Sequence, residues 1–255
     1  YYDLGSITPE ELQYLNLLTD VLDELDTPTH TAQQLNTLRS TWLGDSRVLL
    51  DFWTGRQEGA PCHAKLTMSL SLLERSLQKA VELGGEWLYD TQLTGPAAEA
   101  AFARVLSQQK LNMEQQFIQQ GNAYAAVRAS AHYNVENAAS ERCSGVSYYH
   151  FLCDLLEKAD WAGLGAKLET LRAQVLQHAQ LTVSLHGSEQ ALDTLRTLLP
   201  GSRFAAQERD AAQPYVEPLT PPVNEAFIID GGVNYAVQVW PMERRSDRKV
   251  LARVI

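Results

Sequence analysis

Apolar residues recur at helical spacing along much of the chain, and residues 97–156 form the region around which the rest is organised. Phe102, Leu106 and Phe117 follow a period close to 3.6 residues, which is typical of one face of an α-helix. Pro96 precedes them at a position that suits the first helical turn. The pattern therefore predicts a long helix at the start of this region.

Two further helices are predicted within the same region. Small side chains dominate residues 123–131, so this helix is expected to let another backbone approach closely. Gly145 separates it from a helix whose apolar stripe is aromatic at its start. That stripe consists of Tyr148, Phe151, Leu152, Leu155 and Leu156.

Helix-start signals stand out elsewhere in the chain. Thr8, Pro9 and Glu11 form a capping box with proline in the first turn, and Thr31 and Ser188 are placed as N-caps of two shorter helices. The helix after Thr8 has a stripe that is expected to be buried: Leu12, Leu15, Leu18, Val21, Leu22 and Leu25. Leu164, Leu168, Leu171 and Val175 mark another amphipathic helix.

Alternating apolar and polar positions predict strands at residues 45–54 and 64–72, joined as a hairpin. Residues 74–89 are predicted to be helical, although Gly84 and Gly85 favour an early end. Further extended stretches are predicted at residues 1–4, 181–185, 226–229 and 235–240. This order predicts an α+β fold with a mainly antiparallel sheet and helices packed on one face.

Composition changes near the C-terminal end of the sequence. Residues 207–224 contain four prolines, which predicts a stiff, extended linker. The expected division is therefore one domain at residues 1–206, the linker, and the truncated start of a second, similar domain at residues 225–255. The chain opens as if inside a strand and ends as if inside a helix, so we interpret it as a fragment.

Composition, charge and cysteine content limit which partners and which cellular compartment the chain is expected to have. The 255 residues are 45% hydrophobic and 20% charged, as in soluble globular proteins, and the net charge of −10 argues against a nucleic-acid partner. No apolar run approaches the roughly 20 residues of a membrane helix. Cys62, Cys143 and Cys153 form no CxxC pair, which favours a reducing compartment, such as a bacterial cytoplasm or an organelle matrix.

The chain resembles the third domain, and the opening of the fourth, of presequence-protease-type zinc metallopeptidases in the pitrilysin and insulinase superfamily. The stretches that carry the resemblance are residues 1–22, 112–117, 128–131, 140–152, 181–187 and 227–235. They follow the order of that family and cover most of the chain. The resemblance implies a metallopeptidase-type domain at residues 1–206, and it implies that residues 225–255 begin the next one.

The resemblance also implies a function. In that family two halves close around a chamber that holds unfolded peptides, and the first half binds zinc and cleaves them. This chain is similar to the second, noncatalytic half, so the implied partners are the N-terminal catalytic half of the same polypeptide and unfolded peptide substrates. No zinc or other cofactor is expected in this fragment; zinc belongs to the missing half. A stand-alone helical interaction or scaffold domain without enzymatic activity remains an alternative.

No catalytic, cofactor-binding or metal-binding residue can be assigned. The family uses H-x-x-E-H on a helix, because two histidines four residues apart share one face. Residues 10–16, at the matching place, contain no histidine. His186 and Glu189 give an incomplete match that lacks the second histidine. We interpret this match as a strand end followed by a Ser-capped helix.

Other reactive residue types have simpler structural interpretations. His150 and Asp154, four residues apart, could pair, but two solvated neighbours are the better prediction. Cys153 lies beside an apolar stripe and is expected to be a buried, inert thiol. Tyr148 and Tyr149 could line a substrate surface, but their helical spacing favours the core.

Two more sequence features do not predict ligand sites. Gly231 and Gly232 lie between two predicted strands, so no helix N-terminus follows to hold a phosphate. A basic cluster near the end of the sequence is interpreted as a solvated helix entrance: Arg244, Arg245, Arg248 and Lys249.

Overall fold

Helix α1 (Pro9–Val21) begins at the predicted capping box. In the computed structural model, which describes residues 1–55, 57, 59–229 and 232–240, the backbone N–H of Glu11 donates to Oγ1 of Thr8 at 3.3 Å. The N–H of Thr8 donates back to Oε2 of Glu11 at 3.2 Å. A short 3₁₀ turn, Leu22–Glu24, extends the helix, and the predicted leucine and valine stripe is buried along its full length. Both predictions are confirmed.

The sheet has three antiparallel strands in the order β1-β3-β2 among the described residues. They are β1 (Tyr2–Asp3), β2 (Leu43–Thr54) and β3 (Cys62–Leu72). Helix α2 (Ala32–Trp42) is capped by Thr31, as predicted, and leads directly into β2. β2 and β3 form the predicted hairpin. Ala64 and Leu66 point into the core, whereas Trp53 is exposed on the other face. The coarse α+β prediction is therefore confirmed.

Three stretches predicted as strands are not strands in the described structure. Within residues 181–185 only Leu181 bridges, to Tyr2, and the N–H of Thr182 donates to the carbonyl of Tyr1 at 2.9 Å. Residues 183–185 form no bridge with any described residue. Residues 226–229 and 235–240 are irregular, and no strand among the described residues pairs with them. Asp230 and Gly231 lie outside the described residues.

The helix predicted at residues 74–89 changes its geometry along the way. A 3₁₀ turn, Glu74–Ser76, leads into α3 (Leu77–Gly85), and a π-helical turn, Glu86–Asp90, follows. The α-helix therefore ends at the glycine pair, as predicted, but the helical path continues. Gly84 lets α3 lie against β3, since a Cβ there would be 3.1 Å from Cε of Met68.

The predicted long helix and the small-residue helix are one element, α4 (Pro96–Ser130), with a kink at Gln120 where φ is −133° and ψ is 30°. The two predicted helical segments are confirmed, because the residues before and after Gln120 are helical whereas Gln120 itself is not. Prediction missed α5 (Val135–Ser144), which Asn134 caps through a 2.7 Å bond from the N–H of Asn137. The aromatic helix is confirmed as α6 (Val146–Lys158).

The expected close approach at the small-residue part of α4 does not occur. Ala123 is exposed and Ala126 and Ala129 are only half-buried. The fully buried positions of α4 end at Met113, and beyond it Phe117 and Tyr124 are only partly buried against the core. The organising core lies instead around α1, which contacts α4, α5, α7 and β2.

The last two helices complete the fold. α7 (Trp161–His178) carries the predicted buried leucine and valine stripe, and α8 (Glu189–Leu198) is capped by Ser188 as predicted. Leu195 of α8 packs with Leu77 of α3 in a small second cluster. Leu192 is exposed, so the predicted stripe of α8 is only partly buried.

Residues 205–229 contain no regular element apart from a single bridge between Tyr215 and Cys62. Tyr215 and Glu217 are nevertheless buried against the helices and the sheet. The division into domains at residues 206 and 225 stays a prediction. Among the described residues, no helix is both long enough and apolar enough to cross a membrane.

Candidate functional site

The histidines do not converge. Within the part of the chain that the structure describes, no three His, Cys, Asp or Glu side chains form a group that could hold a metal ion. His186 is exposed in an irregular stretch, and Ser188 caps α8, so the incomplete zinc motif is a loop and a helix start. The Ser-capped helix is confirmed, whereas the predicted strand end at His186 is wrong, because the residues before it are irregular.

The reactive groups of α6 also stay apart. His150 and Asp154 are both exposed, and no ion pair joins them in the described structure. Cys153 is partly exposed, so the prediction of a buried thiol was wrong: it lies next to the apolar stripe rather than in it. The buried cysteine of this region is Cys143, where burial raises the pKa of the thiol well above its ordinary value.

The two adjacent tyrosines have different environments. Tyr148 is buried, as predicted, and its hydroxyl donates to Oδ2 of Asp20 at 2.8 Å. Tyr149 is half-buried, packs edge-on against Phe117 and donates to Oε1 of Glu114 at 2.8 Å. Both hydroxyls therefore join helices. The predicted basic cluster at residues 244–249 lies outside the described residues.

Two open clefts lie on the helical surface. One, of about 650 Å³, is bordered by α2 and by Arg104, whose guanidinium pairs with Glu24 at 2.7 Å. The other, of about 730 Å³, is bordered by α3 and by Arg203, which pairs with Asp90 at 2.5 Å. The charged groups that border both clefts already have ion-pair partners, so neither cleft presents a free catalytic pair from the described residues.

The densest polar arrangement lies where α4, α5 and α6 meet the extended segment after residue 212. Arg142 of α5 binds Glu217 through Nη2 to Oε1 at 2.6 Å and Nε to Oε1 at 3.0 Å. The hydroxyl of Tyr215 donates to the same carboxylate at 2.5 Å. Burial opposes the charge of Arg142, yet the bonds to Glu217 outweigh it and raise the pKa of the guanidinium.

A second ion pair lies next to the first. Arg128 of α4 binds Glu225 in a bidentate manner, with Nε and Nη2 each 2.7 Å from a carboxylate oxygen. It also lies 3.3 Å from Oε1 of Glu141 and donates to Oγ of Ser147 at 3.1 Å. The bonds from Arg128 hold the pKa of Glu225 below its ordinary value.

Helix α1 supports this arrangement from the other side. The side-chain amide of Gln13 donates to the carbonyls of Arg142 and Ser147, both at 3.3 Å. The N–H of Ser147 donates to Oε1 of Glu141 at 2.9 Å, which fixes the junction of α5 and α6. We name the cluster of Arg128, Glu141, Arg142, Tyr215, Glu217 and Glu225 the ionic junction.

Sequence reasoning did not find the ionic junction. Its acidic members Glu217 and Glu225 lie 75 and 97 residues from their arginines, and no local spacing links such distant groups. The only signal was that Arg128, Glu141 and Arg142 fall within stretches that carry the family resemblance. Chemically, the junction holds chain segments together, because each of its charges is bound by another.

Comparison with known proteins places the chain in a family. A sequence profile described as "Peptidase M16-C associated" matches residues 1–155. Presequence protease 1, chloroplastic/mitochondrial, of Arabidopsis thaliana is 27% identical over 237 residues, which is 92% of this chain and 22% of that protein. Protein HypA of Clostridium perfringens is 17% identical over 238 residues, which is 93% of this chain and 24% of that protein.

The chain thus spans less than a quarter of the length of the curated relatives it matches. The matched profile covers more than half of the chain, from β1 through nearly all of α6. The resemblance to presequence-protease-type peptidases is therefore confirmed, and the chain belongs to the peptidase M16-C associated family.

Proposed function

We propose that this chain is a noncatalytic part of a zinc metalloendopeptidase of the presequence-protease type, and that it helps to enclose a chamber in which short unfolded peptides are degraded. The observation that carries the proposal is the match to presequence protease 1 across 92% of the chain but only 22% of that protein. Most of such an enzyme would lie outside this chain. The comparisons do not favour a stand-alone scaffold domain.

Helix α1 stands where the family carries its zinc motif, and its side chains do not fit a metal. Glu11 is held by the capping box and by Lys167, whose Nζ is 3.1 Å from Oε1. Gln13 is engaged with the carbonyls at the start of α6 and the end of α5. We therefore derive no catalytic step through zinc in this chain and assign the metal to a catalytic half of the same polypeptide.

The geometry supports an enclosing role. The ionic junction and the apolar core around α1 fix α4, α5 and α6 to one another, which gives a stiff wall rather than a mobile arm. The proposed partners are the N-terminal catalytic half and unfolded peptides. A bacterial-type cytoplasm or an organelle matrix, both reducing, is the proposed compartment.

The complete product of the gene tests the proposal. We expect it to hold stoichiometric zinc after dialysis and to cleave a fluorogenic peptide in a chelator-sensitive way, whereas residues 1–255 alone do neither. Replacing Gly145 by valine should lower peptide turnover without emptying the zinc site, and Gly201→Ala serves as the control because its Cβ would meet open space. A complete gene product without zinc or peptidase activity would overturn the proposal.

A further inference from the structure

Residues 213–225, here named the strap, run from the sheet across α5 to α4. At the sheet, the N–H of Gln213 donates to Oδ1 of Asp3 at 3.1 Å and the N–H of Tyr215 donates to the carbonyl of Cys62 at 2.8 Å. The strap therefore begins next to β3, on the same side of that strand as β1. It then leaves the sheet and meets the two arginines of the ionic junction.

The inner contact of the strap is buried. The side chain of Glu217 is only 2% exposed, and its partners are the guanidinium of Arg142 and the hydroxyl of Tyr215. Breaking this contact would leave a buried carboxylate without its partner. A buried charge that loses its partner is costly, so the inner contact is expected to stay closed.

The outer contact of the strap is different in kind. Arg128 and Glu225 are each 28% exposed, so water can replace either partner. When Glu225 leaves, Arg128 still has Glu141 at 3.3 Å and Oγ of Ser147 at 3.1 Å. Opening of the outer contact therefore leaves no charged group without a partner. An ion pair that water can reach contributes little to stability, because solvent and salt screen its charges, and it can therefore open often.

Little else holds the strap between these contacts. Nδ1 of His132 lies 2.9 Å from Oγ1 of Thr220, and that contact is exposed. Three apolar side chains of the strap point to solvent: Val216, Leu219 and Val223. Three prolines stiffen the same stretch: Pro218, Pro221 and Pro222. The segment is thus a stiff arm with a buried base and a polar, exposed end.

We propose that the strap works in two stages: its inner anchor, Arg142 with Glu217, stays closed while its outer clasp, Arg128 with Glu225, opens and closes. The position of the clasp decides whether residues 226–229, which directly follow Glu225, lie close to α4. Further along, Tyr235 has its own contact to α4, because its hydroxyl donates to the carbonyl of Ile118 at 2.9 Å. Because the clasp is an exposed ion pair, salt opens it. This device concerns the chain itself and does not depend on the proposed function.

Limited cleavage of the intact 255-residue chain by chymotrypsin can report on both stages. Cleavage after Tyr215 requires the inner anchor to open, whereas cleavage after Phe227 requires freedom just beyond the outer clasp. Initial rates at both bonds are measured by mass spectrometry. A free peptide with the sequence of residues 222–232 normalises the rates for the effect of salt on the protease.

We expect Arg128→Gln to accelerate cleavage after Phe227 by about two- to fivefold and to leave the rate after Tyr215 unchanged. Raising the salt concentration from about 0.05 M to about 0.5 M should likewise accelerate cleavage of the parent chain after Phe227 and leave the rate after Tyr215 unchanged. Arg142→Gln should accelerate cleavage at both bonds. Arg104→Gln, which removes the exposed pair with Glu24, should change neither rate.

Glu225→Gln is the second variant, since it opens the clasp from the strap side and leaves Arg128 with Glu141 intact. Thermal melts check that each variant is folded. Equal acceleration at both bonds in Arg128→Gln and Glu225→Gln would show that the strap moves as one unit. No acceleration at either bond would show that the clasp does not control the strap. Either result would overturn the two-stage proposal.

Discussion

The hydroxyl of Tyr148 donates to Oδ2 of Asp20 at 2.8 Å, which ties the start of α6 to α1. Burial raises the pKa of Asp20 from 3.8 to about 6, although the bonds from Tyr148 and Gln109 to the carboxylate oppose that shift. The family's aromatic helix is thus attached to the core through a carboxyl group that titrates in mildly acidic solution.

Asp20 should make stability depend on pH. Because its folded-state pKa is above the ordinary value, the folded chain binds more protons between about pH 4 and pH 6, and the free energy of unfolding falls as pH rises through this interval. Asp20→Asn should remove this contribution to the pH dependence of the free energy of unfolding. The variant should be at least as stable as the parent at pH 7, since its amide oxygen still accepts a hydrogen bond from Tyr148.

Urea unfolding across this pH range measures the effect as the difference between variant and parent, which cancels the contributions of other carboxylates. Asp154→Asn is the control, because Asp154 is exposed on α6. If Asp20→Asn and the parent keep parallel stability profiles from pH 4 to pH 7, Asp20 does not titrate as described.

Gly145 should not tolerate a side chain. It joins α5 to α6 at a φ of −97°, so its backbone is open to any residue, but a Cβ would lie 2.7 Å from the carbonyl oxygen of Glu141. Gly145→Ala is expected to lower the free energy of unfolding by roughly 1–3 kcal/mol through this overpacking. Denaturant melts measure the loss, and Gly201→Ala provides the control. A loss equal to that of the control would refute the close-packing argument.

Local signals predicted much of the fold. The capping box at Thr8, the N-cap at Thr31, the β2–β3 alternation and the α7 stripe each depend on neighbours within a few residues, and each is confirmed. Such patterns fix an element because the hydrogen bonds and the buried face lie within it. Their success did not require knowledge of the tertiary contacts.

Features that depend on distant partners were missed or wrong. Residues 183–185 alternate like a strand, but a strand also needs a facing strand, and these residues form no bridge with any described residue. The ionic junction likewise has no local signature, because Arg128 meets Glu225 only through the path of the strap. The candidate site could therefore not be assembled from the sequence.

The small side chains of α4 and α5 should respond differently to enlargement. Ala139 of α5 is fully buried, whereas Ala129 of α4 is half-buried despite lying in the small-residue stretch. Ala139→Leu is expected to lower the free energy of unfolding by about 1–3 kcal/mol, and Ala129→Leu by less than about 0.5 kcal/mol. Parallel urea melts compare the two variants. A larger loss of stability for Ala129→Leu than for Ala139→Leu would show that the end of α4 is closely packed.

Arg39 should not be replaceable by lysine. Its guanidinium lies over the ring of the fully buried Trp87, 3.3 Å from the ring centroid, and its Nη2 donates to Oγ of Ser46 at 3.0 Å. It also pairs with Asp23, so one planar group serves a stacking contact and two polar contacts. Lysine keeps the charge but has neither the plane nor the fork of donors.

We expect Arg39→Lys to lower the free energy of unfolding by roughly 1–2 kcal/mol, since the stacking over Trp87 is lost in a site where the arginine is only 6% exposed. Arg47→Lys is the matched control, because Arg47 is 61% exposed and pairs only at the surface with Asp45. Urea melts followed by tryptophan fluorescence also report the environment of Trp87. Equal stability of Arg39→Lys and Arg47→Lys would show that charge alone, and not the planar group, holds α2 to the helical turn that carries Trp87.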